Sequence, residues 1–323
     1  MKKRILKWMP LFCLVTLCVG FVSCGDDDDD NAGATSAVPS PKLTDANGVP
    51  FRVTSFGNWY YSYDSNGKLT KIQRGTDDDE VYDLSGSAFV MNYKEVEDDG
   101  ESYTESTSIS LNGQGFVGSL RSTWEGKESN GEWEKGTESV TCTYNNEGRL
   151  VKFSCTGNYN GNDDGKNYSG SYTTENSLTW ENGKLTSIVE TWNEDEDGEK
   201  RSGTETMTFT YGSKANTSKQ WLYAMTESGD GCELAEDVMH CLSPLGLFGY
   251  GPDYFPTKYT ESEDGHNYDV TLTYEQNPNG TIHKDNYKVY TYDEASAATR
   301  AQMRNVEVTR NRVKYHDKRR AIR

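Results

Sequence analysis

Residues Tyr61–Ile72 read YSYDSNGKLTKI. Tyr61 and Tyr63 alternate with Ser62 and Asp64. Ser65, Asn66 and Gly67 supply turn chemistry, and Lys68–Ile72 runs out again carrying Leu69 and Ile72. Period-two flanks around an Asn-Gly turn spell a β-hairpin. The same grammar returns as CTYNNEGRLVKF from Cys142, LTWENGKLTSI from Leu178 and LTYEQNPNGTI from Leu272. Between these stretches, Val140, Cys142 and Tyr144 share a face, as do Val151, Phe153 and Cys155, and Met207, Phe209 and Tyr211. Thr, Ser and Glu stand between them. Roughly a dozen strands joined by short turns are expected.

The fold class that follows is all-β: a large curled antiparallel up-and-down meander, an open or half-closed barrel. A sheet of that size must curl or close to protect its edges. Leu, Ile, Val and Phe make up roughly 16% of the chain and the formal net charge is −18, a balance that in bulk composition reads as disordered. Two features oppose disorder. There are 21 Tyr and 7 Trp, whereas disordered chains are poor in aromatics, and the apolar residues are periodic. A thin core with one wet sheet face reconciles the two.

One stretch breaks the strand pattern. Cys232–Cys241 places Leu234 and Val238 at helical spacing, and Pro244-Leu245-Gly246-Leu247-Phe248 follows as the most apolar passage beyond the N-terminus. A short helical insert near 232–248 is expected, seated in the mouth or hollow of the sheet. Ala295–Asn305 reads as a second helix, followed by a basic tail.

The ends carry an address. Lys2, Lys3, Arg4 and Lys7 precede the apolar run Leu11–Val22, which has signal-peptide length and is short for a membrane-spanning helix. Phe21-Val22-Ser23-Cys24 resembles a bacterial lipobox, with Phe21 in place of the usual Leu. That resemblance implies cleavage after Ser23 and lipidation of Cys24, a palmitate-type anchor whose acyl chains hold a bilayer. Gly25 and the run Asp26, Asp27, Asp28, Asp29 and Asp30 resemble the acidic signal that exports Bacteroidetes lipoproteins to the cell surface. The expected organisation is a signal peptide at 1–23, an acidic flexible tether at 24–50, a single curled β-sheet domain at 51–293, and a short helix and basic tail at 294–323. Charge is segregated to match. Residues 300–323 hold nine Lys or Arg against two acids, a net of +7, and Cys24–Thr299 carries 49 acids against 20 basic groups, a net of −29. A body that acidic repels nucleic acid, whose binding rests on neutralising phosphates.

Three features converge: the lipobox with its acidic run, the Y-x-Y/W-[DNE]…N/E-G-K/R-L hairpins, and LGLFGYGPDYFPTKYTE at Leu245–Glu261. Together they resemble a family of Bacteroidetes lipoproteins, a domain of unknown function with a porin-like fold. The resemblance covers about Phe51–Asp293. It implies a long curled sheet and no catalytic residues. The YD-repeat shell of secreted toxins fits less well, because the turn glycines Gly67, Gly148, Gly183 and Gly280 are unevenly spaced. A true outer-membrane barrel needs apolar outward bands. Glu125, Lys127, Glu134 and Glu138 lie inside the expected strands instead, so "porin-like" describes shape only.

Chemistry-bearing motifs are sparse. Asn193, Asp195 and Asp197 match the first half of an oxygen-ligand calcium loop, but Thr204 stands where the bidentate Glu belongs. Asn160–Gly165, with Asp163 and Asp164, is a poorer match. No other metal site and no cofactor is expected. His240, His266, His283 and His316 are isolated, and no nucleophile–His–acid order or Gly-rich phosphate loop is present. With a four-residue loop at Asn145–Gly148, Cys142 would face Val151, which argues against a bridge to Cys155. Cys232 and Cys241 are the other candidates for pairing, and buried thiols are the expectation. Trp124, Trp133, Trp180 and Trp192 are candidates for stacking on a sugar, or else fill the sheet's inner face.

The functional expectation is an outer-membrane, surface-exposed lipoprotein, anchored in the bilayer through Cys24, that binds a glycan or surface protein without catalysis. The alternatives are a surface hydrolase acting on polysaccharide and a passive structural envelope lipoprotein.

Overall fold

The computed structural model describes residues 43–65, 69–75, 80–83, 89–96, 100–222, 225, 233–263, 266–285 and 288–292. The signal peptide, Cys24, the Asp26–Asp30 run, Asn66 and Gly67, Cys232, the 295–305 helix and the basic tail lie outside these residues.

Seventeen strands form two antiparallel sheets among the described residues. The smaller holds β1 (Val53–Phe56), β2 (Trp59–Tyr63), β3 (Leu69–Arg74), β4 (Glu80–Asp83), β15 (Tyr274–Gln276), β16 (Ile282–Asp285) and β17 (Lys288–Tyr292). The larger runs from β5 (Val90–Val96) and β6 (Ser102–Leu111) through β7 (Val117–Lys127), β8 (Trp133–Tyr144), β9 (Leu150–Asp163), β10 (Lys166–Glu181), β11 (Lys184–Glu196) and β12 (Glu199–Ala215) to β13 (Tyr254–Glu263) and β14 (His266–Thr271). Spatial order follows chain order throughout, and β17 returns to pair with β1. The strand order is therefore a ring with two interruptions, at β4/β5 and at β14/β15, so neither sheet closes on itself. Only Leu272 and Thr273 separate β14 from β15, and the Leu272 N–H still bonds Thr257 O at 2.9 Å. At that point one bent strand passes from sheet to sheet. The expected curled meander is present, with more strands than the dozen expected.

Local chemistry sets the hairpins. Asp164-Gly165, Asn182-Gly183 and Asp197-Gly198 each carry positive φ at both positions. That is the two-residue turn whose twist matches the flanking strands. The loop instead takes five residues, Asn145–Arg149, so Tyr144 pairs Leu150, and a bulge between Thr143 and Tyr144 then sets Cys142 opposite Phe153. The expected Cys142–Val151 pairing is thereby corrected by two residues, and Cys142, Cys155 and Cys241 stand as thiols.

Strand lengths are unequal. At roughly 3.3 Å per residue, the 17 residues of β12 reach about 56 Å and the four of β1 about 13 Å. The core occupies one end of the long strands. There Val140, Phe153, Leu178, Ile188 and Met207 join Phe56, Trp59, Tyr61 and Ile72 of the small sheet in one buried cluster. The insert fills this base, as expected. Its helix α1 (Glu233–Leu242) and the following 3₁₀ turn Ser243–Leu245 contribute Val238, Met239, Leu242 and Leu245 to the cluster. Tyr61 donates to Cys241 O at 2.8 Å, tying the small sheet to the helix end. Trp221 meets Trp180 edge to face at 5.8 Å. Toward the opposite end, marked by the tips at Asp164, Asp197 and Asn130, burial fades along β10 and β12.

Candidate functional site

The core residues of the ten-stranded sheet define its inner face, and the register carries that face outward in rows. Beyond the apolar base comes a buried polar belt: Glu105, Thr107, Ser122, Glu138, Thr174, Asn176 and Glu190. Asn176 Nδ2 donates to Glu190 at 2.9 Å, Thr107 and Ser122 share a hydrogen bond, and the Cys155 thiol donates to Glu138. Asn176 is fully buried and its Oδ1 accepts no hydrogen bond from the described residues.

Above the belt the face is paved with rings. Tyr159 lies opposite Gly170, Tyr168 opposite Gly161, Tyr172 opposite Gly157, and Trp192 opposite Gly203. A Cβ placed on these glycines would meet the facing ring at 2.2, 2.5, 2.2 and 2.7 Å, respectively. Each ring thus lies down across a backbone that has no side chain of its own, which is how aromatic residues cover glycines in a sheet. The four rings are half-buried. Tyr159 and Tyr168 meet at 6.3 Å between centroids.

Carboxylates rim this platform. Tyr168 hydrogen-bonds to Glu134, and Tyr159 donates to Glu194 at 3.4 Å. Burial pushes the Glu134 carboxyl up to about 7. The Tyr168 hydroxyl opposes that shift and the charge of Glu196 adds to it. Tyr159 and Tyr168 are likewise raised, first by burial and then by the neighbouring glutamates. Rings plus carboxylates can stack on a planar or apolar ligand surface and accept its hydrogen bonds.

The four tryptophans do not form one set. Trp124 and Trp192 lie on the inner face. Trp124 is completely buried across Gly136, and its Nε1 has no hydrogen-bond partner among the described residues. Trp133 is on the outer face, beside a shallow hollow of about 300 Å³ lined also by Asn160, Asn167, Ser169 and Asp197. Trp180 sits at the base, donating to Leu150 O at 2.8 Å beneath the Arg149 guanidinium. The tyrosines complete the platform, and an expectation built on tryptophans alone leaves them out. Their signal is the pair of period-two strings GNYNG (157–161) and YSGSY (168–172), which interlock when antiparallel.

Asn193, Asp195 and Asp197 lie at a hairpin end. Asp195 accepts from Gly198 N at 3.0 Å and pairs with Lys200, while Asp197 accepts from Ser169 N at 2.9 Å. Glu132, Asp163 and Asp164 bring carboxylate oxygens within 4.8 Å at a neighbouring tip, the one group of described residues whose spacing could hold a metal ion. There, Asp164 N already donates to Glu132 at 3.1 Å.

No known protein family matches the chain, and no curated protein does. Solved structures similar to it include two porin-like proteins. One is a porin-like protein from Bacteroides vulgatus, with a TM-score of 0.43 and 12% identity, covering 75% of this chain and 98% of its own. The other is a porin-like protein from Bacteroides uniformis, with a TM-score of 0.38 and 17% identity, covering 73% and 90%. No helix among the described residues is long and apolar enough to cross a membrane. The outward rows of the long strands, such as Lys135, Thr137 and Ser139 on β8 and Thr173, Glu175 and Ser177 on β10, are polar.

Proposed function

We propose that this chain is an outer-membrane lipoprotein, exposed at the cell surface and held by acylated Cys24, whose curled sheet binds a glycan without turning it over. One observation carries the binding half of this reading. Tyr159, Tyr168, Tyr172 and Trp192 lie on one face at the end of the sheet away from the core, each laid across a glycine. Flat rings present the apolar faces on which sugar rings stack, and the flanking Glu134 and Glu194 accept hydroxyl hydrogen bonds. The anchoring half rests on the lipobox and the Asp26–Asp30 run.

Glycan-array screening followed by calorimetry on the hits tests the binding. Tyr172→Ala should weaken the best ligand about tenfold, or ~1.4 kcal/mol, while Trp133→Ala on the outer face should not. A ligand lost with Trp133 and kept with Tyr172 places the site elsewhere. Capture of a surface protein and no glycan would identify a protein-binding module instead. Labelling with a palmitate analogue, compared with Cys24→Ala, tests the anchor.

A hydrolase reading has one observation in its favour. Glu134, with its carboxyl pushed up to about 7, sits near Glu194 and Glu196, and a neutral acid beside carboxylates is the pairing of glycoside hydrolysis. Polysaccharide turnover that Glu134→Gln abolishes would establish it in place of simple binding.

A further inference from the structure

We infer that the aromatic platform takes a linear, neutral polysaccharide laid lengthwise along β9 and β10, and that this polysaccharide is one whose chain winds about its own axis. The inference rests on the glycan reading of the platform and adds the shape of the ligand to it.

The register carries the linear half. Tyr168 and Tyr172 project from β10 over Gly161 and Gly157 of β9, and Tyr159 projects from β9 over Gly170 of β10. All three rings therefore lie within one strand pair, in rows two residues apart. Two residues advance a strand by about 6.6 Å, and the Tyr159 and Tyr168 centroids are 6.3 Å apart. Three rings at that pitch make a file of about 13 Å from first to last. The file is bounded at both ends. Toward the tip stands Lys166, opposite Asp163, and toward the base Thr174 and Cys155 face each other, both buried. Trp192 lies across Gly203 in that last row, one strand pair to the side. A pocket for one terminal sugar closes around a single ring. Here the rings repeat along an axis, so the matching ligand repeats along an axis too.

The flanks bear on charge. Glu134 and Glu138 of β8 border the file on one side, and Glu194 and Glu196 of β11 on the other. A uronic acid or sulfated chain would bring like charge beside them, whereas neutral hydroxyls can donate to them.

The inclination of the rings carries the winding half. The Tyr159 and Tyr168 planes meet at 61°. A flat ribbon stacked on one ring would be steeply tilted to the other. A chain whose sugar planes turn along its axis can face each ring in succession.

Calorimetry of the intact chain tests this against three ladders of one to six sugars. Xylo-oligosaccharides and malto-oligosaccharides wind, and cello-oligosaccharides are flat. In at least one winding ladder, affinity should climb about tenfold from disaccharide to tetrasaccharide and then level off, because the file ends at Lys166 and Thr174. The cello-tetrasaccharide should bind more weakly. Tyr168→Ala, which removes the ring at the tip end, should weaken the tetrasaccharide and spare the disaccharide, while Tyr168→Phe keeps the ring and should retain the climb. Affinity that does not change with length would mean recognition of a single sugar. It would overturn this inference and leave glycan binding standing. A cello ladder equal to or tighter than both winding ladders would also overturn it. So would binding to none of the three while array hits on branched or charged glycans are lost with Tyr172→Ala. If no glycan binds at all, the platform reading falls and this inference falls with it.

Discussion

Gly157 and Gly136 each leave room for a hydrogen and little more, but for different reasons. A Cβ on Gly157 would strike the Cζ of Tyr172 at 2.2 Å, the far end of a side chain that can swing away. A Cβ on Gly136 would strike the Asn158 carbonyl oxygen at 2.4 Å, which is backbone. Gly157→Ala should therefore cost about 1 kcal/mol or less, while tilting Tyr172 and weakening a platform ligand. Gly136→Ala has to deform the β8–β9 ladder and should cost about 2–3 kcal/mol. Thermal melts of the two variants, side by side, check the order. Glu134 gives a second test at this scale. Its folded carboxyl titrates near 7, against 4.5 for the ordinary group. Between those values the folded chain holds a proton that the unfolded chain has released, so this residue makes stability fall as pH rises through the window. Glu134→Gln fixes the neutral state. It should match the parent at pH 4 and exceed it at pH 8, by on the order of 3 kcal/mol. A constant difference across pH would show that burial does not control this carboxyl.

Among the elements, the loop Asn145–Arg149 does more than turn the chain. Asn145 Oδ1 accepts from the backbone of Glu147 and Arg149, which sets the loop's shape. Arg149 then reaches across to the exit of the insert, bonding Gly251 O at 3.1 Å and Asp253 at 2.7 Å over the Trp180 ring. Asp253 is also held by Lys219, and the two cations keep its carboxyl below the usual range even though burial works against them. Arg149→Met keeps the stem and removes the clamp. Because Lys219 remains, the loss should be about 2 kcal/mol, short of the full cost of stranding a buried charge. It would be read as a lower urea midpoint with an unchanged slope. How much of this was legible in the sequence differs by element. Asn182-Gly183 and Asp197-Gly198 announce their own turns, because positive φ at two successive positions needs that chemistry. The fifth loop residue, Arg149, and the bulge at Thr143/Tyr144 have no such local marker, and each moves the partner of Cys142 by one residue. The Tyr–Gly interlock was legible in principle, since GNYNG and YSGSY pair only one way with rings on glycines. The Arg149–Asp253 clamp joins residues 104 apart, and no local pattern foretells it.

At the scale of the whole molecule, the closure of β17 on β1 brings the two ends of the domain together, while along β9 to β12 the fully buried apolar side chains are confined to the base. The consequence is a gradient of stability along the long strands. Near the base, Leu178, Ile188 and Met207 pack against the insert and the small sheet, and each fully buried side chain of this kind contributes roughly 1.5–3 kcal/mol. Past Thr174 on β10 and Glu205 on β12, described side chains are at most half-buried, and adhesion there rests on ladder hydrogen bonds and rings laid on glycines. Such regions open by sub-global unfolding well below the global free energy. Hydrogen exchange should accordingly resolve two groups of amides on the same strands. Lys166–Thr173 and Glu199–Thr204 should exchange early, and Ser177–Trp180 and Met207–Thr210 only with global unfolding. The difference runs along the strand and not between strands, so a frayed edge cannot imitate it. If the amides of β10 exchange together from Lys166 to Glu181, the far end is as firmly held as the base. The platform would then be a rigid shelf and not the mobile lip that this distribution of apolar contacts dictates.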